Sequence, residues 1–362
     1  MNGKASAKGR VAARPHLAPA TGHAQPYGLP LKGEDIPTPV QPIHFRIVTP
    51  SFNTRRFLGA CVDSVLSQDY PHLDYRVMDG GSTDGSVDLL RSYDGRVRWT
   101  SARDGGQSDA INRGFALRDG EAVDPDGVLG WLNSDDAYAP GALAHVADIF
   151  ARHPDADVVY GRATYIDAAG RHVADCAHVE PYSKHRLLHY SDLIVQPAAF
   201  FRRRAFDAVG GLDAGLNWMM DWDLWIKFAR RDLRFVHTPR VLAHYRWLSG
   251  NKSAVGGAAR LDEIDRAMAA HGLPRPAYVQ LERCNLHLGD AVKALGRGRV
   301  DQAAVGVGRI AATLARSPRA VRSLFSLHTW RIIWVGQVLR ARAAAADRPP
   351  PPASSPPGGG LG

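Results

Sequence analysis

The stretch Gly127-Val128-Leu129-Gly130-Trp131-Leu132-Asn133-Ser134-Asp135-Asp136 decides how this chain is read. Its apolar half has the length and composition of a buried strand, and it stops abruptly at two adjacent carboxylates. Neighbouring anions repel, so folding alone gives little reason to place them together. A divalent cation shared with a phosphate relieves that repulsion, because such cations take hard oxygen ligands and bridge few carboxylates to substrate phosphates. Ser and Asp also suit a turn followed by a helix start, so the six residues ending at Asp136 fit a structural reading equally well. The flanking pattern separates the two.

Upstream, strand and helix patterns alternate. Phe45 to Thr49 is a short β-prone run closed by Pro50. Phe57, Leu58, Cys61, Val62, Val65 and Leu66 recur at spacings of three and four, the mark of an amphipathic helix. Tyr75 to Met78 forms a second strand, Thr83 to Ser92 a helix with Ser82 or Thr83 as its cap, and Val97 to Thr100 a third strand. A helix over Gln107 to Leu117 then precedes the Gly127 strand. Such alternation predicts an α/β fold: a mainly parallel, Rossmann-like sheet flanked by helices. In these sheets ligands bind beyond the carboxyl ends of the strands, which is where Asn53, Asp79, Asp104 and Asp135-Asp136 fall. Beyond Pro140 the pattern loosens. Short strands are expected at Val158 to Tyr160, Ala198 to Phe201 and Val241 to Tyr245, with helices at Ala142 to Phe150 and Asp223 to Arg230.

The 362 residues suffice for one substantial core and a smaller unit, and 45% apolar and 22% charged residues are ordinary for a globular protein. Cys61, Cys176 and Cys284 are widely separated, which argues against a disulfide framework or zinc cluster and fits a reducing cytoplasm. No apolar run is long enough to span a bilayer. Residues 1–41 and 346–362, rich in Pro, Gly and Ala, are expected to be disordered. The formal charge of +9 favours anionic partners, but no nucleic-acid motif accompanies it, so nucleic acid is not an expected partner.

Asp79-Gly80-Gly81-Ser82-Thr83-Asp84-Gly85 joins a strand to a helix, yet its spacing fits neither a dinucleotide fingerprint nor a P-loop. Asp79 suits a neutral donor edge, such as the N–H of a uracil-like base; a capped glycine turn explains the segment as well. Asn112, a poor helix former inside Asp104 to Gly114, needs a hydrogen bond, either to a ligand or to a loop it tethers. Met219-Met220-Asp221-Trp222-Asp223 sets carboxylates among bulky apolar groups, where a raised pKa favours a general base. Asp221 is the chemical candidate, and Asp223, in the first turn of a helix, the structural or acceptor-contacting one. His244 is the one histidine of interest, and Arg246 and Lys252 could neutralise a diphosphate.

In order along the chain, Val48 to Asn53, Ser64 to Gln68, Asp79 to Ser86, Asp104 to Gly114, Asn133 to Asp136 and Asp221 to Trp225 resemble the inverting glycosyltransferases of family 2, which share the GT-A fold. The resemblance runs from about Arg46 to Ser253. It implies a nucleotide-sugar donor, most often UDP-linked, and a divalent cation, Mn²⁺ or Mg²⁺. It implies that Thr49, Pro50, Phe52 and Asp79 line the base pocket, with Asp104 and Asn112 shaping its wall. Asp135 would contact the ribose side, Asp136 would hold the metal on the diphosphate, and Asp221 would be the base that deprotonates an acceptor hydroxyl. Asn133 stands where the family's acidic patch often begins with Asp, Met220 where a Glu usually precedes the base, and Leu248 where many relatives have His.

The expected organisation is a GT-A domain over 42–253 and a helical C-terminal extension over 254–345. Within the latter, Leu324 to Leu339 mixes aromatic and basic residues, so it fits either packing against the catalytic domain or lying on a membrane surface. The expected function is a cytoplasmic enzyme, peripheral on the membrane if that helix docks there, that builds a cell-surface glycan on a glycan or lipid-linked acceptor. The alternatives are a catalytically silent nucleotide-sugar-binding protein of the same fold and a nucleotidyltransferase, which would need a basic glycine-rich loop that Asn53-Thr54-Arg55-Arg56 imitates poorly.

Overall fold

The computed structural model describes residues 42–118, 120, 124–248, 250–325, 335 and 339. The expected disordered segments 1–41 and 346–362 lie outside the described residues, as does most of the 324–339 stretch.

The first half of the described chain is the expected alternation. β1 (Phe45–Ser51), α1 (Arg55–Leu66), β2 (Leu73–Asp79), α2 (Ser86–Arg91), β3 (Arg98–Ser101), α3 (Gln107–Ala116) and β4 (Val128–Trp131) follow one another. Their strands pair in parallel in the order β3-β2-β1-β4. β1 is buried along nearly its whole length, as a central parallel strand covered on both faces must be. Its pleat sends Ile47 into a core with Leu58, Val62 and Phe200, and Val48 into a second core with Ile111, Trp131 and Trp225.

The second half is mixed. After β5 (Ala137–Tyr138) and α4 (Ala142–Arg152) come β6 (Val158–Ile166), β7 (His172–Asp175), α5 (Lys184–His189), β8 (Ala199–Arg202) and α6 (Arg203–Ala208). α7 (Met220–Arg230) and β9 (Phe235–Arg246) complete it. β8 joins β4 antiparallel, β6 joins β8 antiparallel, and β9 runs parallel to β6. β6 and β9 are much longer than their apolar cores suggest, because Pro239 and Gly161 sit where the ladder shifts register. A side chain at Gly161 would meet Leu242 at 2.6 Å, so only glycine lets the two strands approach.

α2 begins at Ser86, not at Thr83, because the preceding loop is held away from helical geometry. The Thr83 amide donates to Asn53 Oδ1 (2.9 Å) and the Asn53 amide donates to Ser82 Oγ (2.8 Å), so the two expected caps instead bind the β1–α1 turn.

From Lys252 the chain is helical: α8 (Lys252–Val255), α9 (Gly257–Ala270), α10 (Ala277–Gly296), α11 (Val300–Ala315) and α12 (Pro318–Ser323). α9 packs Leu261, Ile264 and Met268 into the second core. Val335 and Leu339 are buried in the first, so these two residues of the aromatic-basic stretch pack against the protein. Among the described residues no helix is long and apolar enough to cross a membrane.

Candidate functional site

A cavity of about 1860 Å³ opens beyond the carboxyl ends of β1, β2, β3 and β4. Pro50, Phe52, Gly80 and Asp104 form one end of its wall, Asn133, Asp135 and Asp136 its floor, and Met220, Asp221 and Lys252 the far side. Asp135 and Asp221, distant in sequence, therefore face one space.

Packing in the sheet brings these two sides together. The Trp131 and Trp225 rings stack with centroids 6.0 Å apart, seating α7, which carries Asp221, on β4, which carries the acidic run. Below the acidic run lies a chain of polar side chains. Lys252 Nζ donates to Gln107 Oε1 (3.0 Å), and Gln107 Nε2 donates to Asn133 Oδ1 (2.7 Å). Asn133 Nδ2 donates to Asp136 Oδ2 (3.3 Å) and to Gln196 Oε1 (3.2 Å), and Gln196 Nε2 reaches the Trp131 carbonyl (2.7 Å). Gln196 and Gln107 were not anticipated from the sequence; a glutamine before Pro197, buried in an otherwise apolar stretch, was the available signal.

The two carboxylates differ in surroundings. Asp136 is 1% exposed and accepts the Arg246 amide N–H at 2.8 Å as well as the Asn133 side chain. Burial pushes its pKa well above the usual carboxylate range, and the neighbouring Asp135 adds to the rise. Asp135 is half-buried, opens onto the cavity and is also raised, chiefly by burial. The sequence reading assigns the cation to Asp136 and the ribose side to Asp135; both border the cavity, Asp135 as the more exposed of the two. Both residues suit a divalent cation, which would offset their mutual repulsion. Among the described residues no cluster of three or more His, Cys, Asp or Glu could hold one, so most of its ligands would come from substrate phosphates and water.

Asp221 begins α7 beside Met220, whose sulfur lies 3.0 Å from Ser108 Oγ on α3. Burial lifts the Asp221 carboxyl to about 6, against the pull of the Trp222 N–H and the Lys252 charge. Asp192, half-buried close by, is raised well above the carboxylate range by desolvation and by Asp221. The loop entering α7 is fixed from α9: Glu263 accepts the amides of Asn217 (3.0 Å), Trp218 (2.6 Å) and Met219 (3.0 Å). Asp223 points away from the cavity, paired with His271 (2.6 Å) and Lys227 (2.7 Å), and is structural.

Of the residues expected around a base, Pro50, Phe52 and Asp104 border the cavity and three others do not. Phe52 is 63% exposed, and a methyl at Gly80 would come within 3.3 Å of it and 3.0 Å of Asp104 Oδ2. Thr49 is fully buried, its hydroxyl 3.1 Å from Tyr75 Oη, because β1 turns that side chain into the first core. Asp79 holds the loop instead of an open edge: it accepts from the Gly81 and Ser82 amides and from the Ser82 and Ser101 hydroxyls. Three of these donors reach Oδ2 and one, the Ser82 hydroxyl, reaches Oδ1. Asn112 exchanges two hydrogen bonds with the Leu212 backbone, at 2.8 and 3.0 Å, and so tethers the Gly210-Gly211 turn. The two basic candidates also part. Arg246 donates to the Asp135 and Asp167 carbonyls and lies over the Phe57 ring, whereas Lys252 faces the cavity. His244 is bound to Thr164 (2.8 Å) in the β6–β9 ladder.

Residues 46–210 match the family described as Glycosyl transferase family 2. A PGL/p-HBAD biosynthesis glycosyltransferase of Mycobacterium tuberculosis is 30% identical over 223 residues, covering 58% of this chain and 80% of that one. The chain belongs to glycosyltransferase family 2. An uncharacterized glycosyltransferase of Rickettsia typhi is 28% identical over 196 residues, and this family-2 chain spans 58% of its length. Two solved structures share the GT-A fold. Staphylococcus aureus TarS 1–349, in complex with UDP-GlcNAc, superposes with a TM-score of 0.51 at 16% identity, covering 84% of this chain and 92% of its own. The mannosyltransferase PcManGT of Pyrobaculum calidifontis, with GDP-Man and Mn²⁺, gives 0.50 at 17%, covering 87% and 92%.

Proposed function

We propose that this chain transfers a sugar from a nucleoside diphosphate sugar, most simply a UDP-sugar, to an acceptor hydroxyl with inversion. The observation that carries the reading is one cavity bordered both by the Asp135-Asp136 pair and by Asp221, whose carboxyl is lifted to about 6. A group in that range is ionised at neutral pH yet basic enough to accept a proton as the transition state forms. The complexes named above, one with a UDP-sugar and one with a GDP-sugar and Mn²⁺, support a donor of this class.

In this account Pro50, Phe52 and Asp104 flank the base. Asp135, with Asp136 behind it, would hold a divalent cation, which supplies positive charge to a diphosphate. Lys252 adds a protein cation on the same side. Asp221 takes the proton of the acceptor hydroxyl, whose oxygen bonds to the anomeric carbon from the face opposite the diphosphate. The bond from that carbon to the β-phosphate oxygen breaks, and its electron pair leaves with the nucleotide. The acceptor is assigned as a glycan or lipid-linked sugar. We retain the division into a donor-binding unit up to about residue 253 and a helical extension after it, with Glu263 reaching across. Met220 beside Asp221 is the feature favouring a second reading, donor binding without transfer.

A panel of UDP- and GDP-sugars with purified protein, assayed for nucleotide release with Mn²⁺ or with chelator, tests the proposal. Metal-dependent release from one donor that Asp221→Asn abolishes is the expected result. Donor binding with no release under any condition would favour the silent reading, and no binding would end both.

A further inference from the structure

Arg246 is the last residue of β9, and the pairing of β5 with β9 brings the acidic run level with it. Its amide N–H donates to Asp136 Oδ1 (2.8 Å), and its Nε donates to the Asp135 carbonyl (2.8 Å). From the same guanidinium, Nη1 donates to the carbonyls of Asp167 (2.7 Å) and Ala168 (3.3 Å), in the turn that follows β6. Its central carbon lies over Phe57 of α1, 4.9 Å from the ring centroid. One side chain, 5% exposed, thus ties α1, the acidic run and the β6–β7 turn together.

These carbonyls use the donors of the guanidinium but carry no net charge. A buried cation is costly unless opposite charge stands near it, and the acids near Arg246 are Asp136, Asp135 and Asp167. Asp167 is engaged by its own turn, where it accepts the Ala169 and Arg171 amides and the Arg171 side chain. The positive charge of Arg246 is therefore left chiefly to the acid pair. Burial raises both of those carboxyls, and Arg246 is among the groups that draw them down. Lys252 bears on Glu263 and Asp221 instead. Part of the repulsion between Asp135 and Asp136 is thus offset before any divalent cation arrives.

We propose that Arg246 is a positioning residue for the cation site, with two separable effects. Its hydrogen bonds orient the Asp135-Asp136 backbone toward the cavity, and its charge limits how tightly the pair holds a divalent cation. This rests on the cation reading of the cavity given above.

Calorimetric titration of Mn²⁺ into the full chain at saturating UDP separates the two effects, with Arg246→Lys, Arg246→Gln and Arg246→Met set beside the wild type. Lys keeps the charge and loses the planar fork of donors. The two neutral variants are expected to bind Mn²⁺ about ten-fold more tightly than Arg246→Lys, the size of a unit charge repelling a divalent ion across a few ångströms of water-like medium. Loss of a residue that only supports the fold would not tighten binding. All three variants are expected to lose about ten-fold or more in kcat for nucleotide release at saturating Mn²⁺, with UDP affinity in chelator within about two-fold of wild type. Mn²⁺ affinity in both neutral variants no higher than in Arg246→Lys overturns the proposal, as does a wild-type kcat in Arg246→Lys. Loss of UDP binding in chelator by both neutral variants also overturns it, since Arg246 would then serve the fold alone. A wild-type chain that binds no Mn²⁺ at saturating UDP ends the cation reading itself, a result distinct from a wild type that binds the ion and variants that do not differ.

Discussion

Glu263 accepts the Trp218 amide N–H over 2.6 Å, so a helix of the C-terminal extension fixes the backbone just ahead of Asp221. The flanking amides of Asn217 and Met219 bond to the same carboxylate. Charge-assisted bonds of this kind are among the stronger ones, and they hold the first turn of α7 in place.

Glu263→Ala should therefore act on turnover more than on donor binding. The expected effect is a fall in kcat of about 10- to 100-fold with UDP affinity within about two-fold of wild type, since misplacing a catalytic group by about an ångström has this cost. Glu263→Gln, which keeps an acceptor oxygen, should recover most of the loss. Steady-state kinetics with calorimetric UDP binding checks it; a lower Tm with unchanged kcat would reduce Glu263 to a structural role.

Asp221 predicts two pH dependences. A base with a pKa of about 6 must be ionised to act, so kcat/KM should fall about ten-fold per pH unit below 6. For stability the sign is opposite to that of a salt-bridged acid. The folded-state pKa lies above the ordinary 3.8, so the folded chain holds a proton that the unfolded chain releases, and stability is lost as pH rises from about 4 to about 6. Asp221→Asn removes that cost, stabilising the protein at pH 7.5 by on the order of 1–3 kcal/mol and by nothing near pH 3.5. Urea unfolding at the two pH values reads the difference directly.

Asn133 sits among acids as a neutral donor. Asn133→Asp deletes the bond to Asp136 and the bond to Gln196 and adds a third negative charge to the floor. In chelator the variant should lose roughly 1–3 kcal/mol of stability, with much of it restored by Mn²⁺. Equal unfolding midpoints for variant and wild type in chelator would show that the amide network does not set the charge of the floor.

The sheet that positions the site was legible because β1, β2 and β4 are short apolar runs ending at polar loops, and α1 and α3 keep helical spacing. Legibility failed where a polar residue serves the fold. Thr49, Asp79 and Asn112 look like ligand contacts because they are polar residues at strand ends or within a helix. In the structure Thr49 is bound to Tyr75, Asp79 to its own loop and Asn112 to Leu212, partners between 26 and 100 positions away for Thr49 and Asn112. Local pattern carries no information about such partners. The length of β9 was hidden for a related reason: Phe235 to Arg246 includes Pro239 and several charged or histidine side chains, and pairing with β6 and β5 makes it a strand. Glu263 had no signal at all, being one acid in an ordinary amphipathic helix.

Calorimetric titration of UDP, with and without Mn²⁺, into the wild-type chain and into Asp135→Asn is the most direct measurement. The account predicts that Mn²⁺ tightens UDP binding at least about ten-fold, or 1.4 kcal/mol, in the wild type and has little effect in the variant. The same UDP affinity with and without Mn²⁺ in the wild type would contradict it.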